Sequence, residues 1–81
     1  MDLPIESPRV TPFDHRHVKE YIRILDATAE NADWREVAAI VLELDVVREP
    51  VRSRQVYEAY LGRARWMTEH GYRDLLKSAK A

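Results

Sequence analysis

Cysteine is absent from this 81-residue chain, so neither a disulfide nor a thiolate metal site holds its core together. Only two glycines are present, too few for a turn-rich β barrel, and the balance points to helices. No apolar run approaches the roughly 18 residues of a membrane span, and a start carrying Asp2, Pro4 and Glu6 does not read as a signal peptide. The chain is therefore expected to be soluble and cytoplasmic. An excess of one charge is missing too. Thirteen Lys and Arg face fourteen Asp and Glu, and the net charge of −1 removes the simplest nucleic-acid reading, a clearly basic domain. At this length one domain with a modest core is expected, and a deep catalytic cavity is hard to build. Composition leans towards a binding module rather than an enzyme.

What is present is organised in helical blocks. Residues 1–12 hold three of the four prolines and no periodic apolar pattern, which predicts an extended or disordered arm. Leu3, Ile5 and Val10 would dock it if it packs, and a free tail is the alternative. The folded domain is expected over 13–77, with 78–81 as a tail. Thr11 and Pro12 look like an N-cap and first position of a helix from Phe13 to about Thr28, with Asp14 at the positive end of its dipole. Val18, Tyr21, Ile22 and Leu25 define its expected apolar face. Asp33 would cap a second helix from Trp34 to about Leu44, with Glu36 completing a capping-box-like arrangement. A linker over 45–53, containing Pro50, precedes a third helix that starts at Val51 or Ser53 and runs to His70. Val56, Ala59, Tyr60, Ala64 and Met67 form its stripe, and Gly71 is a natural stop. A closing turn or short helix is expected over 72–77, with Leu75 and Leu76 against the core. The predicted fold is all-α, a three-helix bundle of helix-turn-helix-like, winged-helix-related type.

Chemistry is sparse. His15 and His17 stand two apart, about 200° around a helix, and cannot chelate one ion together. His70 suits the negative end of a helix. There is no phosphate loop and no nucleophile in a recognisable motif, so no cofactor, metal or small-molecule ligand is expected. Charge placement says more. Residues 1–47 carry five basic and ten acidic side chains, a local −5, whereas residues 48–81 carry eight and four, a local +4. Arg48, Arg52, Arg54, Arg63 and Arg65 crowd the linker and third helix, with Tyr57, Tyr60 and Trp66 between them. Arg and aromatic residues recur at DNA backbones and at protein hot spots alike. A solvated helix face over an aromatic core is the plainer alternative. The spacing predicts an exposed ridge of Arg54, Tyr57 and Leu61 and another of Arg52 and Arg63. The contact set is thus Arg48, Arg52, Arg54, Arg63 and Arg65, with Tyr57 as aromatic anchor. Trp34, Val37, Val41, Val56, Tyr60, Ala64 and Met67 are assigned to the core.

The stretch Asp33-Trp34-Arg35-Glu36-Val37-Ala38, then Ser53 to Tyr60, then Arg63-Ala64-Arg65-Trp66-Met67 through Gly71-Tyr72-Arg73-Asp74-Leu75-Leu76, resembles a proteobacterial family carried on integrative and conjugative elements. It is similar to the QseM-like antiactivators, relatives of the C-terminal half of the excision activator FseA. That resemblance implies a helix-turn-helix-like fold and a transcriptional antiactivator that binds LuxR-type and FseA-type activators. One departure is the long linker, where a DNA-reading helix-turn-helix has a turn of about three or four residues. Together with the acidic first half, it favours protein partners over DNA. The alternative is a DNA-binding domain with its third helix in the major groove.

Overall fold

The structure, a computed structural model, describes residues 3–71. Three helices form the domain: α1 (Pro12–Ala29), α2 (Trp34–Val41) and α3 (Pro50–Trp66), with a π-helical turn over Met67–Gly71. Among the described residues there is no strand, and the all-α bundle expected from the sequence is what forms. The expected closing turn over 72–77 and the tail over 78–81 lie outside the described residues.

Local chemistry sets each boundary. The Asp14 N–H donates to Thr11 Oγ1 at 3.1 Å and the Thr11 N–H donates to Asp14 Oδ2 at 3.0 Å, a reciprocal capping box with Pro12 just inside it. At the other end of α1 the Asn31 and Ala32 N–H groups donate to the Thr28 and Ala27 carbonyls, while Asn31 takes a left-handed φ of 59°. This is a Schellman stop, and Asn is among the few side chains that tolerate it. Asp33 caps α2 through the Arg35 N–H at 2.8 Å.

Three boundaries differ from expectation. α2 ends at Val41 rather than Leu44, because Glu43 adopts φ 54° and turns the chain, which lets the Leu44 N–H reach the Ala38 carbonyl at 3.1 Å. α3 begins at Pro50, which occupies the first helical turn instead of breaking the chain. Its α-helical part stops at Trp66, and residues 67–71 continue as the wider π turn. The connection between α2 and α3 is therefore residues 42–49. It is held by Asp45, whose side chain accepts from the Arg48 N–H at 3.0 Å and whose carbonyl accepts from the Glu49 N–H and the Ser53 hydroxyl.

The core is built where α1, α2 and α3 meet, around Tyr21, Ile24, Val37, Ala38, Val56, Tyr60 and Met67. The expected stripe of α1 is rotated. Ile24 is fully buried whereas Ile22 is 45% exposed, and Val18 and Leu25 are only partly covered. The governing row is Phe13, Tyr21 and Ile24, set by the aromatic packing of Phe13 and Tyr21 on Tyr60, each with ring centroids 6.0 Å apart. Ile24→Val should accordingly cost about 0.5–1.5 kcal/mol in chemical denaturation, while Ile22→Val should leave the midpoint where it is. Trp34 and Val41 lie at the core margin, partly buried.

Candidate nucleic-acid interface

Two of the six expected contact residues are turned inward. Tyr57 is 5% exposed, packs with its ring centroid 6.0 Å from that of Trp34, and belongs to the core. Arg63 is 6% exposed and is held by a dense set of acceptors. Its Nη2 donates to Asp14 Oδ2 at 2.7 Å, and its Nε lies 3.1 and 3.2 Å from the two Asp14 oxygens. Nη1 and Nη2 also donate to the carbonyls of Ser7 and Arg9 at 2.8 and 2.9 Å. The guanidinium carbon stands 3.8 Å from the centroid of Trp66. Each of its three nitrogens donates to a partner inside the chain, so Arg63 is a fold residue and the expected Arg52–Arg63 ridge does not exist. Through it the N-terminal arm is docked onto α3. Val10 packs against the core, but Leu3 and Ile5 remain exposed.

Asp14 is fully buried beneath this arginine. Burial alone pulls its carboxyl pKa up, but hydrogen bonds from Arg63, the Thr11 backbone and Tyr21, with the Arg63 charge, outweigh that and hold it below the usual value. The Tyr21 hydroxyl donates to Asp14 Oδ1 at 2.8 Å. Burial first, and then this bond to a carboxylate, raise the Tyr21 phenol well above its ordinary range.

The other four arginines are exposed. Arg48 has only a long contact to Asp45, 3.9 Å. Arg54 meets Glu58 at 2.6 Å on the surface and lies 5.0 Å from the Trp34 centroid. Surface pairs of this kind hold their partners weakly and release them readily.

Their arrangement follows from the turn of α3, about 100° per residue. Val51, Gln55, Glu58 and Gly62, spaced by four, three and four, form the centre of the outward face and are all exposed. Arg52 stands on one flank of this strip, with Arg48 a turn before it in the linker. Arg54 and Arg65, eleven residues apart, stand on the other. The strip offers an amide, a carboxylate and an aliphatic surface, and the flanks offer guanidinium groups. Gly62 sits in open space: a Cβ there would meet nothing within 4 Å. Gly62→Ala should therefore raise stability by about 0.8–1 kcal/mol, read as a shift in the denaturation midpoint.

Sequence reasoning missed the strip itself. Its signal was the same three-and-four spacing used to find the core, applied to the opposite side. It also assigned Arg63 and Tyr57 outward, although Arg63 stands three residues after Tyr60 and four before Met67, on the stripe already recognised. Among the described residues no three His, Cys, Asp or Glu side chains gather to hold a metal ion. No helix among them is long and apolar enough to cross a membrane.

A compact helical domain whose long third helix carries arginines along both sides of an exposed polar strip has the build of a DNA-binding regulator domain. The match to known families agrees with that class. Residues 2–77 match the RovC DNA-binding domain family, described as "T6SS, Transcription factor, DNA binding domain", and the chain belongs to it. That family is a transcription-factor domain, not a class of enzyme. No curated protein matches the chain. The balance struck from the sequence, protein partners ahead of DNA, is thereby reversed.

Proposed function

We propose that the domain binds duplex DNA with the outward face of α3 in the major groove. The carrying observation is the strip Val51–Gln55–Glu58–Gly62 with arginines on both flanks, because a helix seated in that groove turns its centre to base edges and its flanks to the two phosphate backbones. Gln55 has the donor–acceptor pair suited to adenine, Glu58 is an acceptor suited to the cytosine amino group, and Val51 suits the thymine methyl. Arg48 and Arg52 on one side, Arg54 and Arg65 on the other, meet phosphates. A cleft separates the arm, at Pro4, Glu6, Ser7 and Pro8, from α3, where Glu58, Ala59, Gly62, Arg63 and Trp66 line it, and Val51, Arg52, Arg54 and Gln55 stand outside that cleft. A transcription regulator of this kind works where DNA is, in the cytoplasm of a bacterial cell. A fluorescence-anisotropy titration of labelled duplexes at two salt concentrations tests the reading. Affinity should fall steeply with salt, with a log–log slope of about −0.9 for each phosphate neutralised, and a flat response would count against it.

A second reading is favoured by one feature on the other side of the molecule. A cleft of about 310 Å³ between α1 and α2 presents Ile40, 68% exposed, among Arg23, Asp26, Glu30 and Glu36. A rim of three carboxylates and one guanidinium, net negative around an apolar centre, suits a basic, apolar protein segment, as a QseM-like antiactivator of LuxR-type or FseA-type proteins would need. Ile40→Glu should abolish capture of such an activator while sparing DNA binding.

A further inference from the structure

The indole of Trp34 has two cations on it. The guanidinium carbon of Arg35 lies 5.3 Å from the ring centroid and that of Arg54 lies 5.0 Å from it. The two cationic groups, one from the first turn of α2 and one from α3, are thus no more than about 10 Å apart. Two like charges near one ring repel each other, and the attraction of each to the indole π system offsets that repulsion. Their acidic neighbours are weak competitors. Arg35 faces Asp33 at 3.7 Å with both side chains more than half exposed, and the Arg54–Glu58 pair is about half exposed. Trp34 itself is fixed from below by its packing on Tyr57, which is buried. A rigid aromatic platform therefore presents two solvent-facing guanidinium groups beside the outward face of α3.

From this geometry we infer that Arg35 and Arg54, set on Trp34, form a clamp for the phosphodiester backbone of DNA. The inference rests on the DNA-binding reading of α3 and adds to it the α2 side of the contact. Guanidinium forks match phosphate oxygens in pairs, and two of them joined by one platform meet a backbone segment with little ordering left to lose. Arg54 exchanges Glu58 for phosphate, which frees Glu58 to face the groove. Because a phosphate carries no sequence, the clamp sets register and affinity but not base preference. Trp34 is a positioning residue here, touching no DNA.

The test is an anisotropy titration of several duplexes of unrelated sequence across a salt series. It compares wild type, Arg35→Ala, Arg54→Ala, the double variant, and Lys19→Ala as a control for lost charge on α1. Circular dichroism confirms that each is folded. Each clamp variant should lower the log–log salt slope by about 0.9 and weaken binding roughly fivefold at about 0.15 M salt, equally for every duplex. Lys19→Ala should change the slope much less. If wild type binds DNA but the double variant keeps its affinity and slope, the clamp is wrong while the α3 reading stands. If wild type binds no duplex at all, both fall together. If polyglutamate displaces wild type as effectively as excess duplex does, the arginines serve an acidic protein partner and the phosphate assignment is overturned.

Discussion

Asp14→Ala should cost about 3–5 kcal/mol of folding stability, and Arg63→Ala a similar amount, because each leaves a buried ionic group without its partner. A domain of this size has only about 5 kcal/mol or a little more in total, so both variants should be largely unfolded near room temperature. The effect comes from what each residue does besides pairing. Asp14 closes the capping box of α1, accepts from Tyr21 and accepts three times from Arg63. Arg63 in turn holds the arm by the carbonyls of Ser7 and Arg9. Replacing both ends with apolar residues of similar size, Asp14→Leu with Arg63→Met, should recover only part of the loss: no charge is left unpaired, but the Thr11 N–H, the Tyr21 hydroxyl and the Ser7 and Arg9 carbonyls lose these partners. A double-mutant cycle by urea denaturation measures the coupling. The same cluster predicts a pH dependence with a definite sign. Asp14 is held below its ordinary pKa of 3.8 in the folded state, so its contribution is intact above that value. It is lost as pH falls below about 4 and through the lower folded value. Tyr21 is displaced upward, so its contribution is intact below its ordinary value of 10.0 and erodes as pH rises beyond it. Thermal midpoints should decline at both edges, and Asp14→Asn should flatten the acid edge.

Arg52→Ala combined with Gln55→Ala should weaken binding to a preferred duplex by about 2–4 kcal/mol, about 1 from a phosphate contact and about 1–3 from a base contact. The two halves of that loss should differ in kind. Arg52→Ala should weaken all sequences alike and lower the salt slope by about 0.9, as a phosphate contact does. Gln55→Ala should leave the slope in place and relax preference at one base-pair position. Both side chains are exposed and neither belongs to the core, so circular dichroism should be unchanged. Loss of binding without loss of fold is the signature that separates this face from Arg63.

The helices were legible because their signals are local. Thr11, Pro12 and Asp14 mark one start, Asp33 another, and periodic apolar residues mark the faces. What escaped was long-range. Nothing near Arg63 in the chain tells that Asp14, forty-nine residues earlier, waits beneath it. An arginine within an apolar stripe therefore looked like a surface charge. Ile22 and Ile24 could each have faced inward by spacing alone, and the aromatic cluster around Tyr60 decides between them. The contact surface was half legible. Counting charges along the chain located the positive half, but only the helix's orientation shows that Arg54 and Arg65 share one flank while Tyr57 points away. The outward strip has a spacing but little else to draw attention to it: Val51, Gln55, Glu58 and Gly62 have no charge or apolar pattern in common. They are united only by facing solvent between two lines of arginine.

Whether α3 reads DNA is tested most directly by selecting duplexes from a random-sequence pool with the purified chain and sequencing what it retains. The account predicts enrichment of a short shared motif for wild type, retained in Ile40→Glu and degraded at one position in Gln55→Ala. A retained pool with no shared motif, or one identical for wild type and Gln55→Ala, would contradict it.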